Sequence, residues 1–370
     1  LLAVPFFMLA GEIMNAGGLS RRIVNLAMAI IGHKRGGLGY VAVFASIIMA
    51  SMSGSAVADT AAFGALLIPM MRKGGYDVPR SAGLIAAGGI IAPVIPPSIP
   101  FIIFGVAGGV SIGKLFMAGI VPGLLMGVVL LFTWWLVSRK DQMEVTPRAS
   151  FAEVMKRLVD GLWALAIPVV VMGGIKMGVF TPTEAGVVAA VYAFLVGFFV
   201  YREIKLAQLW GLLLSAGLTT AVVMFLVASA SVSAWLITIA DLPYIVIDLL
   251  EPLIDQPILL MAVIMVIVVI VGTALDLVPT ILILTPVLMP VVRQAGIDPV
   301  YFGVLFIMNN AIGLITPPVG TVLNVVCGVG KVSIGQVVRG VWPFLLAHLL
   351  LLAALVLFPE IVLVPLDWWT

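Results

Sequence analysis

Long apolar stretches separated by short polar segments constrain this 370-residue sequence more than any other feature. A helix needs roughly 20 residues to cross the ~30 Å hydrocarbon core of a bilayer. The clearest stretches of about that length are 115–137, 161–180, 185–200, 211–240 and 341–358. The longest polar segment, 139–157, is too short to bury a core of its own. With 63% hydrophobic and 10% charged residues, the sequence predicts an all-α polytopic membrane protein.

The chain contains an internal repeat in which equivalent residues lie 221 positions apart. The segment LLIPMMRKGGYD (66–77) resembles VLMPVVRQAGID (287–298), and the double prolines Pro96-Pro97 and Pro317-Pro318 share the same offset. Each half has an apolar segment broken by small polar residues, a basic-then-acidic turn, a helix interrupted by a double proline and a final spanning helix. Two halves therefore share one plan.

The polar breaks are SMSGSAVADT (51–60) and VGTALDLVPT (271–280). Because neither apolar arm around a break exceeds about 20 residues, we expect each segment to enter the membrane and return as a re-entrant helical hairpin. The double prolines predict two discontinuous helices. Irregular backbone at membrane depth is tolerated where it is buried in protein or lines a cavity, so the breaks should face a site.

Charged residues indicate how the two hairpins are oriented. Basic residues gather around the mouth of the first hairpin, whereas acidic residues gather around the second. By the positive-inside rule, the first opens to the cytoplasm and the second to the opposite face. The halves then form an inverted repeat, which is the common plan of secondary transporters. Residues 19–33 are predicted to lie along the cytoplasmic interface as an amphipathic arm.

Each hairpin tip offers small residues and then a carboxylate, Asp59 or Asp276. Freed backbone carbonyls and hydroxyl oxygens suit a hard cation such as Na+. An ionisable residue at membrane depth is a functional hypothesis by default. Two other roles stay open, because serine and glycine also allow close helix packing and a carboxylate also caps a helix start. Glu184 in TPTEAG is interpreted as such a helix-start carboxylate.

Helices that begin after the breaks would aim their positive ends at the centre, where a substrate carboxylate could sit. The expected starts are near Ser55, Ser98, Thr280 and Val319. The residues predicted to contact the substrate are Ser55, Ser98, Asn309 and Thr316. For Asn309 and its neighbour Asn310, binding across helices and satisfying local backbone both remain open. No lysine or arginine lies near this proposed site.

Five motifs, in order, resemble the large membrane subunit of the tripartite ATP-independent periplasmic (TRAP) transporters, and the resemblance covers essentially the whole chain. They are PFFMLAGEIMNAGG, MSGSAVADT, IAPVIPPSIPFIIFG, FTPTEAGVVAAVYA and MNNAIGLITPPVG. The resemblance implies a Na+-driven symporter in the bacterial inner membrane. It implies an organic acid as cargo, such as a C4-dicarboxylate, sialic acid or another sugar acid, taken from a soluble periplasmic binding protein. A small four-helix membrane subunit, separate or fused, is implied as well.

The resemblance also implies an elevator mechanism, in which a transport domain slides against a scaffold. The predicted division is 1–35 and 111–255 for scaffold helices and arms, 36–110 and 256–332 for the two transport-domain halves, and 333–370 for a C-terminal arm and scaffold helix. The predicted Na+-site residues are Ser51, Ser53, Gly54, Ser55, Asp59, Gly89, Pro93, Pro96, Gly272, Thr273, Asp276, Thr316, Pro317 and Gly320. We expect no organic cofactor and no nucleic-acid partner.

Three alternative functions fit the sequence to different degrees. An intramembrane aspartyl protease using Asp59 and Asp276 is disfavoured, because AVADT and TALDL lack the glycine that such enzymes place before aspartate. A scaffold without transport activity has no use for the paired breaks. A stand-alone symporter or antiporter of the same superfamily stays open. The family's opening residues are absent, so we expect that residues are missing upstream.

Overall fold

A computed structural model describes residues 1–139, 143 and 147–369, and within these residues the chain is helical with no strand. Parts of the predicted polar loop, 140–142 and 144–146, lie outside the described residues. The helices, in chain order, are α1 Ala3–Ala16, α2 Leu19–Ile31, α3 Gly37–Ser53, α4 Ala56–Lys73, α5 Val78–Gly89, α6 Ile99–Gly108, α7 Ile112–Ser138, α8 Phe151–Lys176, α9 Pro182–Leu195, α10 Leu206–Ile239, α11 Leu242–Leu250, α12 Pro257–Gly272, α13 Leu277–Gln294, α14 Pro299–Gly313, α15 Thr321–Gly330, α16 Ile334–Leu357 and α17 Glu360–Trp369, with a π-helical turn at Val196–Val200 and a 3-10 turn at Glu251–Leu253.

Several helices are long and apolar enough to cross a bilayer. In the part of the chain that the structure describes there are six of them, formed by 112–138, 151–176, 182–200, 206–237, 277–294 and 334–357. The prediction of a multi-pass, all-helical membrane protein is therefore confirmed. The arm predicted at 19–33 is also helical, as α2, with Leu19, Ile23 and Ala27 buried on one face.

The two halves repeat the same order of elements. Two consecutive helices, α3 and α4, are followed by α5, an irregular stretch, α6 and α7, and the second half repeats this order from α12 to α16. The irregular stretches at 90–98 and 314–320 contain the double prolines, and both Pro–Pro bonds are cis. The predicted interruptions of two helices are confirmed.

The helix starts around the breaks agree with the sequence in the first half and differ slightly in the second. Ser55 and Ser98 are the N-caps of α4 and α6, as expected. In the second half, α13 begins at Leu277 rather than near Thr280, and α15 begins at Thr321 rather than near Val319. In α13, Asp276 occupies the N-cap position and Leu277 is the first helical residue.

The interrupted helices form the centre of the fold. Every residue of the first irregular stretch, 90–98, is buried, and so is every residue of α14 from Val300 to Gly313. The irregular backbone of the first break is thus enclosed in protein, where its polar groups can find partners. In the second break, Pro318 and Val319 are exposed. Phe104 packs against the rings of Phe302 and Phe306, with centroids 6.1 and 5.8 Å away, and this contact joins the two halves.

Helices α5 and α16 approach each other through a pair of glycines. A Cβ atom added to Gly340 would lie 2.1 Å from the carbonyl oxygen of Pro79, and one added to Gly83 would lie 2.6 Å from the Gly340 carbonyl. Real Cβ atoms do not tolerate such distances to backbone. The final spanning helix of the second half therefore packs directly against the helix that leads into the first break.

Two arginines tie each half to the other. Arg72, at the end of α4, donates a hydrogen bond of 2.6 Å to the carbonyl of Gly330, the last residue of α15. Its repeat equivalent Arg293, at the end of α13, donates a hydrogen bond of 2.8 Å to the carbonyl of Gly108, the last residue of α6. A cation at a helix C-terminus satisfies an orphan carbonyl and complements the helix dipole. Each hairpin is thereby fastened to the broken helix of the opposite half.

Candidate functional site

Both halves contribute to one small cavity of about 110 Å³ at the hairpin tips. The first half supplies Ser55 at the start of α4 and Ile99 at the start of α6, and the second half supplies Asp276 and Leu277 at the start of α13. Residues of α1 and α10 line the cavity as well. Helix ends from the two repeats of the sequence therefore lie side by side at this cavity.

The ends that meet at this cavity are the positive ends of three helices, α4, α6 and α13. The first backbone amides of a helix have no intrahelical partner, and its N-terminus carries roughly half a positive charge. The hydroxyl of Ser55 accepts a hydrogen bond from the amide of Ala58 at 3.3 Å. Asp276 makes no side-chain cap hydrogen bond, although it occupies the N-cap position. Its carboxylate therefore stands at the cavity with its oxygens available.

The first hairpin tip packs tightly against the first double proline. Gly54 joins α3 to α4 with φ 62°, and a Cβ added there would lie 3.0 Å from the carbonyl oxygen of Pro97. Behind the tip, Asp59 is only 2% exposed and its carboxylate is hydrogen-bonded by Ser53. Among the described residues no lysine or arginine pairs with it. A buried carboxylate without a cationic partner is costly unless a cation compensates it.

The second hairpin tip meets the second interrupted helix at glycine. A Cβ added to Gly313 would lie 2.8 Å from the carbonyl carbon and oxygen of Gly272, so the two backbones are in direct contact. A Cβ added to Gly272 would lie 3.7 Å from Oδ1 of Asn310. Asn310 is 1% exposed, and its Nδ2 donates to the carbonyl of Phe306 at 2.9 Å.

Among the described residues, the buried oxygens Thr60 Oγ1, Asn309 Oδ1 and Asn310 Oδ1 have no hydrogen-bond partner. Thr60 lies against Gly89, where an added Cβ would meet Oγ1 at 1.9 Å. An unpaired buried acceptor costs free energy and calls for a partner. No group of three His, Cys, Asp or Glu that could hold a metal occurs in the described part of the chain. Neutral oxygens with a few carboxylates fit a hard cation, whose preferred ligands are oxygens.

The predicted site residues divide into two groups. Gly54, Ser55, Pro93 and Asp276 come together around the cavity. The other predicted substrate contacts are occupied locally: Ser98 donates to the carbonyl of Pro93, Asn309 donates to that of Met265 at 2.6 Å, and Thr316 donates to that of Ile312 at 2.8 Å. Their roles in binding stay predictions.

The hydroxyls of Ser51 and Thr273 also donate to carbonyls of their own helices. Gly320 precedes α15 with φ 47°, a conformation that favours glycine. Glu184 forms a capping box with Thr181, which confirms its predicted structural role. The sequence analysis does not identify Thr60, and it leaves Asn310 with two possible roles. Two sequence features could have pointed to them: Thr60 directly follows Asp59, and Asn310 lies in the motif MNNAIG.

Comparison with known proteins identifies the family. Residues 1–361 match the family model of the tripartite ATP-independent periplasmic transporter, DctM component. The chain belongs to this family. Its membership agrees with the repeated hairpins and interrupted helices, and it makes the protein a TRAP transporter large membrane subunit rather than a member of an enzyme family.

Named relatives of this TRAP subunit span several cargoes. The 2,3-diketo-L-gulonate TRAP transporter large permease protein of Escherichia coli is 61% identical over 368 residues, covering 100% of this chain and 87% of the relative. The sialic acid TRAP transporter large permease protein of Vibrio cholerae is 40% identical, covering 98% and 85%. The C4-dicarboxylate TRAP transporter large permease protein of Pseudomonas aeruginosa is 38% identical, covering 100% and 86%.

Proposed function

We propose that this chain is the membrane permease of a Na+-coupled TRAP importer of the bacterial inner membrane, and that its cargo is a sugar acid. The observation that carries the proposal is the meeting of three helix N-termini from both halves at one cavity. Such ends bind carboxylates through free amides and the helix dipole without a dedicated arginine. The 61% identity to a relative named for 2,3-diketo-L-gulonate favours a sugar acid over a C4-dicarboxylate.

The size of the cavity supports recognition of the acid group in particular. Pockets for whole small molecules usually hold about 300–1,000 Å³. The cavity holds about 110 Å³, which is enough for a carboxylate and part of the adjoining chain. The rest of the sugar would be accommodated when the surrounding helices α1 and α10 separate from the tips. Selection among acids then falls largely to the periplasmic binding protein that delivers the cargo, with the small four-helix membrane subunit as the second partner.

The proposal of sodium coupling rests on the buried oxygen atoms that lie behind the hairpin tips. The first site would use the tip at Ser53–Ser55 with Thr60 and the buried Asp59, and the second would use the tip at 272–276 with Asn310. A bound cation would compensate the buried carboxylate and the unpaired acceptors. It would also supply positive charge close to the substrate carboxylate, which links binding of the acid to binding of Na+.

The packing supports an elevator division that differs from the sequence-based one. Helix α7 contacts the first break through glycines, since a Cβ on Gly119 would lie 2.6 Å from the carbonyl oxygen of Val94. Helix α16 contacts α5 through Gly340. Both would therefore move with the re-entrant hairpins instead of belonging to the scaffold. Helices α1, α2, α8, α9 and α10 would form the stationary part.

A cross-linking experiment tests this division. After replacement of Cys327, a disulfide between α5 and α16 is expected to leave uptake intact, because both helices move together. A disulfide between α1 and α6, which lie in contact across the proposed boundary, is expected to stop uptake until it is reduced. Uptake that survives the α1–α6 cross-link would contradict the elevator division.

Uptake by the reconstituted complex tests the function itself. Proteoliposomes that contain both membrane subunits would receive binding protein loaded with diketogulonate, sialic acid or a C4-dicarboxylate. We expect uptake of the sugar acid to require an inward Na+ gradient and the binding protein. Equal uptake without the binding protein would favour a stand-alone symporter, and equal uptake with a K+ gradient would rule out Na+ coupling.

A further inference from the structure

A second cavity, of about 740 Å³, lies away from the hairpin tips, where α2 ends, α3 begins and α7 ends. Its walls include Phe44, Phe132 and Trp135, and its rim carries Lys34, Arg35 and Arg139. Among the described residues that line it there is no carboxylate. We propose that this cavity binds one anionic phospholipid of the cytoplasmic leaflet, with the phosphodiester at the basic rim and an acyl chain against the aromatic walls.

The position of the cavity matches the depth of a lipid headgroup. Phe132 is 58% exposed and Trp135 is 41% exposed, although both are large aromatic side chains on a spanning helix. Aromatic residues that are exposed near the end of a spanning helix mark the membrane interface. The guanidinium of Arg139 lies 3.5 Å above the centroid of the Trp135 ring, which holds the charge directly over the apolar wall. A headgroup and the start of an acyl chain would meet these two groups together.

The charge of the rim decides which lipid fits. Lys34 and Arg139 lie on one concave surface and attract an anionic headgroup, since each basic residue close to the membrane surface strengthens that attraction. Lys34 and Arg139 are both exposed, so their charges are available to a headgroup that arrives from the bilayer. Zwitterionic lipid offers a compensating ammonium and gains less. The predicted orientation also places this rim on the cytoplasmic side, where the positive-inside rule concentrates basic residues.

The two sides of the cavity are held to different parts of the molecule. On one side, the indole of Trp134 donates to the carbonyl of Gly36 at 2.9 Å, which fastens the end of α7 to the start of α3. On the other side, Arg22 of α2 pairs with Glu203 at 2.6 Å and with Asp160 of α8 at 3.1 Å. The lipid would therefore lie between the hairpin side and the arm side. Its influence on transport rests on the proposed elevator division, whereas its binding does not.

Lipid binding can be measured without transport. Native mass spectrometry of the purified protein, with dioleoyl phosphatidylglycerol (DOPG) or dioleoyl phosphatidylcholine added, counts the bound lipids. In the double variant Lys34→Gln/Arg139→Gln, we expect affinity for DOPG to fall about 30-fold, since two charges near the headgroup are lost. The variant Lys156→Gln/Lys205→Gln changes the net charge equally at exposed residues outside the cavity, and it should bind DOPG like the parent protein.

The charge-conserving variant Lys34→Arg/Arg139→Lys should retain binding, which separates loss of charge from misfolding. Equal DOPG binding by all variants would overturn the proposal. So would equal retention of DOPG and phosphatidylcholine, or protection of the cavity by inorganic phosphate alone. Displacement of the bound lipid when the small membrane subunit is added would assign the cavity to that subunit and overturn the proposal too. If binding is lost as expected but uptake is unchanged, the site stands and its link to the elevator motion fails.

Discussion

The variant Asn310→Leu is expected to lose Na+-driven uptake while its fold stays at least as stable. Asn310 Oδ1 is buried beside the second hairpin tip without a hydrogen-bond partner. Leucine has a similar shape and removes an unpaired acceptor. It also removes the Nδ2 hydrogen bond to the carbonyl of Phe306, but that carbonyl lies one turn back in the same helix, where the backbone amide of residue 310 is its helical partner. The substitution is therefore expected to be neutral or stabilising for the fold. A contact between a polar group and an ion is worth about 1.5–3 kcal/mol, which corresponds to roughly 10- to 100-fold in Na+ affinity.

Two measurements on this variant separate binding from folding. Apparent Tm in detergent would be recorded in NaCl and in KCl, and uptake would be recorded in proteoliposomes. We expect the parent protein to gain stability from Na+ and the variant to gain none, because ligand binding raises Tm only where a site exists. Asn25→Leu, on the arm helix α2, should keep the Na+ response. An Asn310→Leu protein that transports normally would show that Oδ1 serves packing only.

The variant Gly340→Ala is expected to destabilise the fold, although alanine is the better helix former. Its Cβ would lie 2.1 Å from the carbonyl oxygen of Pro79 and 2.8 Å from the amide nitrogen of Arg80. These are backbone atoms at the start of α5, so they cannot rotate away as a side chain does. Overpacking of this kind typically costs about 1–3 kcal/mol, occasionally more. The displaced helix leads into the first break, so uptake should fall as well.

A matched substitution lies in the same helix. Gly335 has no heavy atom within 4 Å of the position that a Cβ would take. Gly335→Ala is therefore expected to leave the apparent Tm unchanged or to raise it, since glycine is the poorer residue in a helix. The comparison is made by thermal unfolding of both variants in the same detergent. A Tm for Gly340→Ala equal to that for Gly335→Ala would contradict the close packing of α5 against α16.

Local sequence patterns predicted the breaks in this fold well. Proline removes a backbone donor, and the double prolines correctly marked where α5 and α14 are interrupted. Serine is a strong N-cap residue, and Ser55 and Ser98 were correctly placed at helix starts. These features depend on a few neighbouring residues, so the sequence carries them directly.

The sequence treats Asp59 and Asp276 as corresponding residues because each is the first carboxylate after a hairpin tip, but their positions in the structure differ. The repeat offset aligns Asp276 with Ser55, and both are found at N-cap positions. Asp59 instead lies one turn into α4, buried and hydrogen-bonded by Ser53. The two acids therefore have different environments. The unpaired oxygens of Thr60 and Asn310 were also hidden from the sequence, since a missing partner is visible only after every neighbour has been placed.

The features of the fold that the sequence does not predict depend on contacts between segments that are far apart in the chain. Nothing local to Gly83 or Gly340 indicates that they meet, and both are ordinary small residues in apolar helices. Their contact depends on how α5 and α16 cross, which is settled by the packing of many side chains. The proposed division between moving and stationary helices rests on such contacts, and it differs from the sequence-based division at α7 and α16 for that reason.

The crossed arginine ties have a consequence for the order in which the chain matures. Arg72 bonds to Gly330, which lies 258 residues later in the chain, whereas Arg293 bonds to Gly108, which lies 185 residues earlier. The N-terminal half therefore leaves the ribosome and enters the membrane without the partner that fastens its hairpin. The bond from Arg72 to α15 can form only after α15 has been synthesised and inserted. A chain truncated before that point would contain the helices of the first half and lack this bond between the halves.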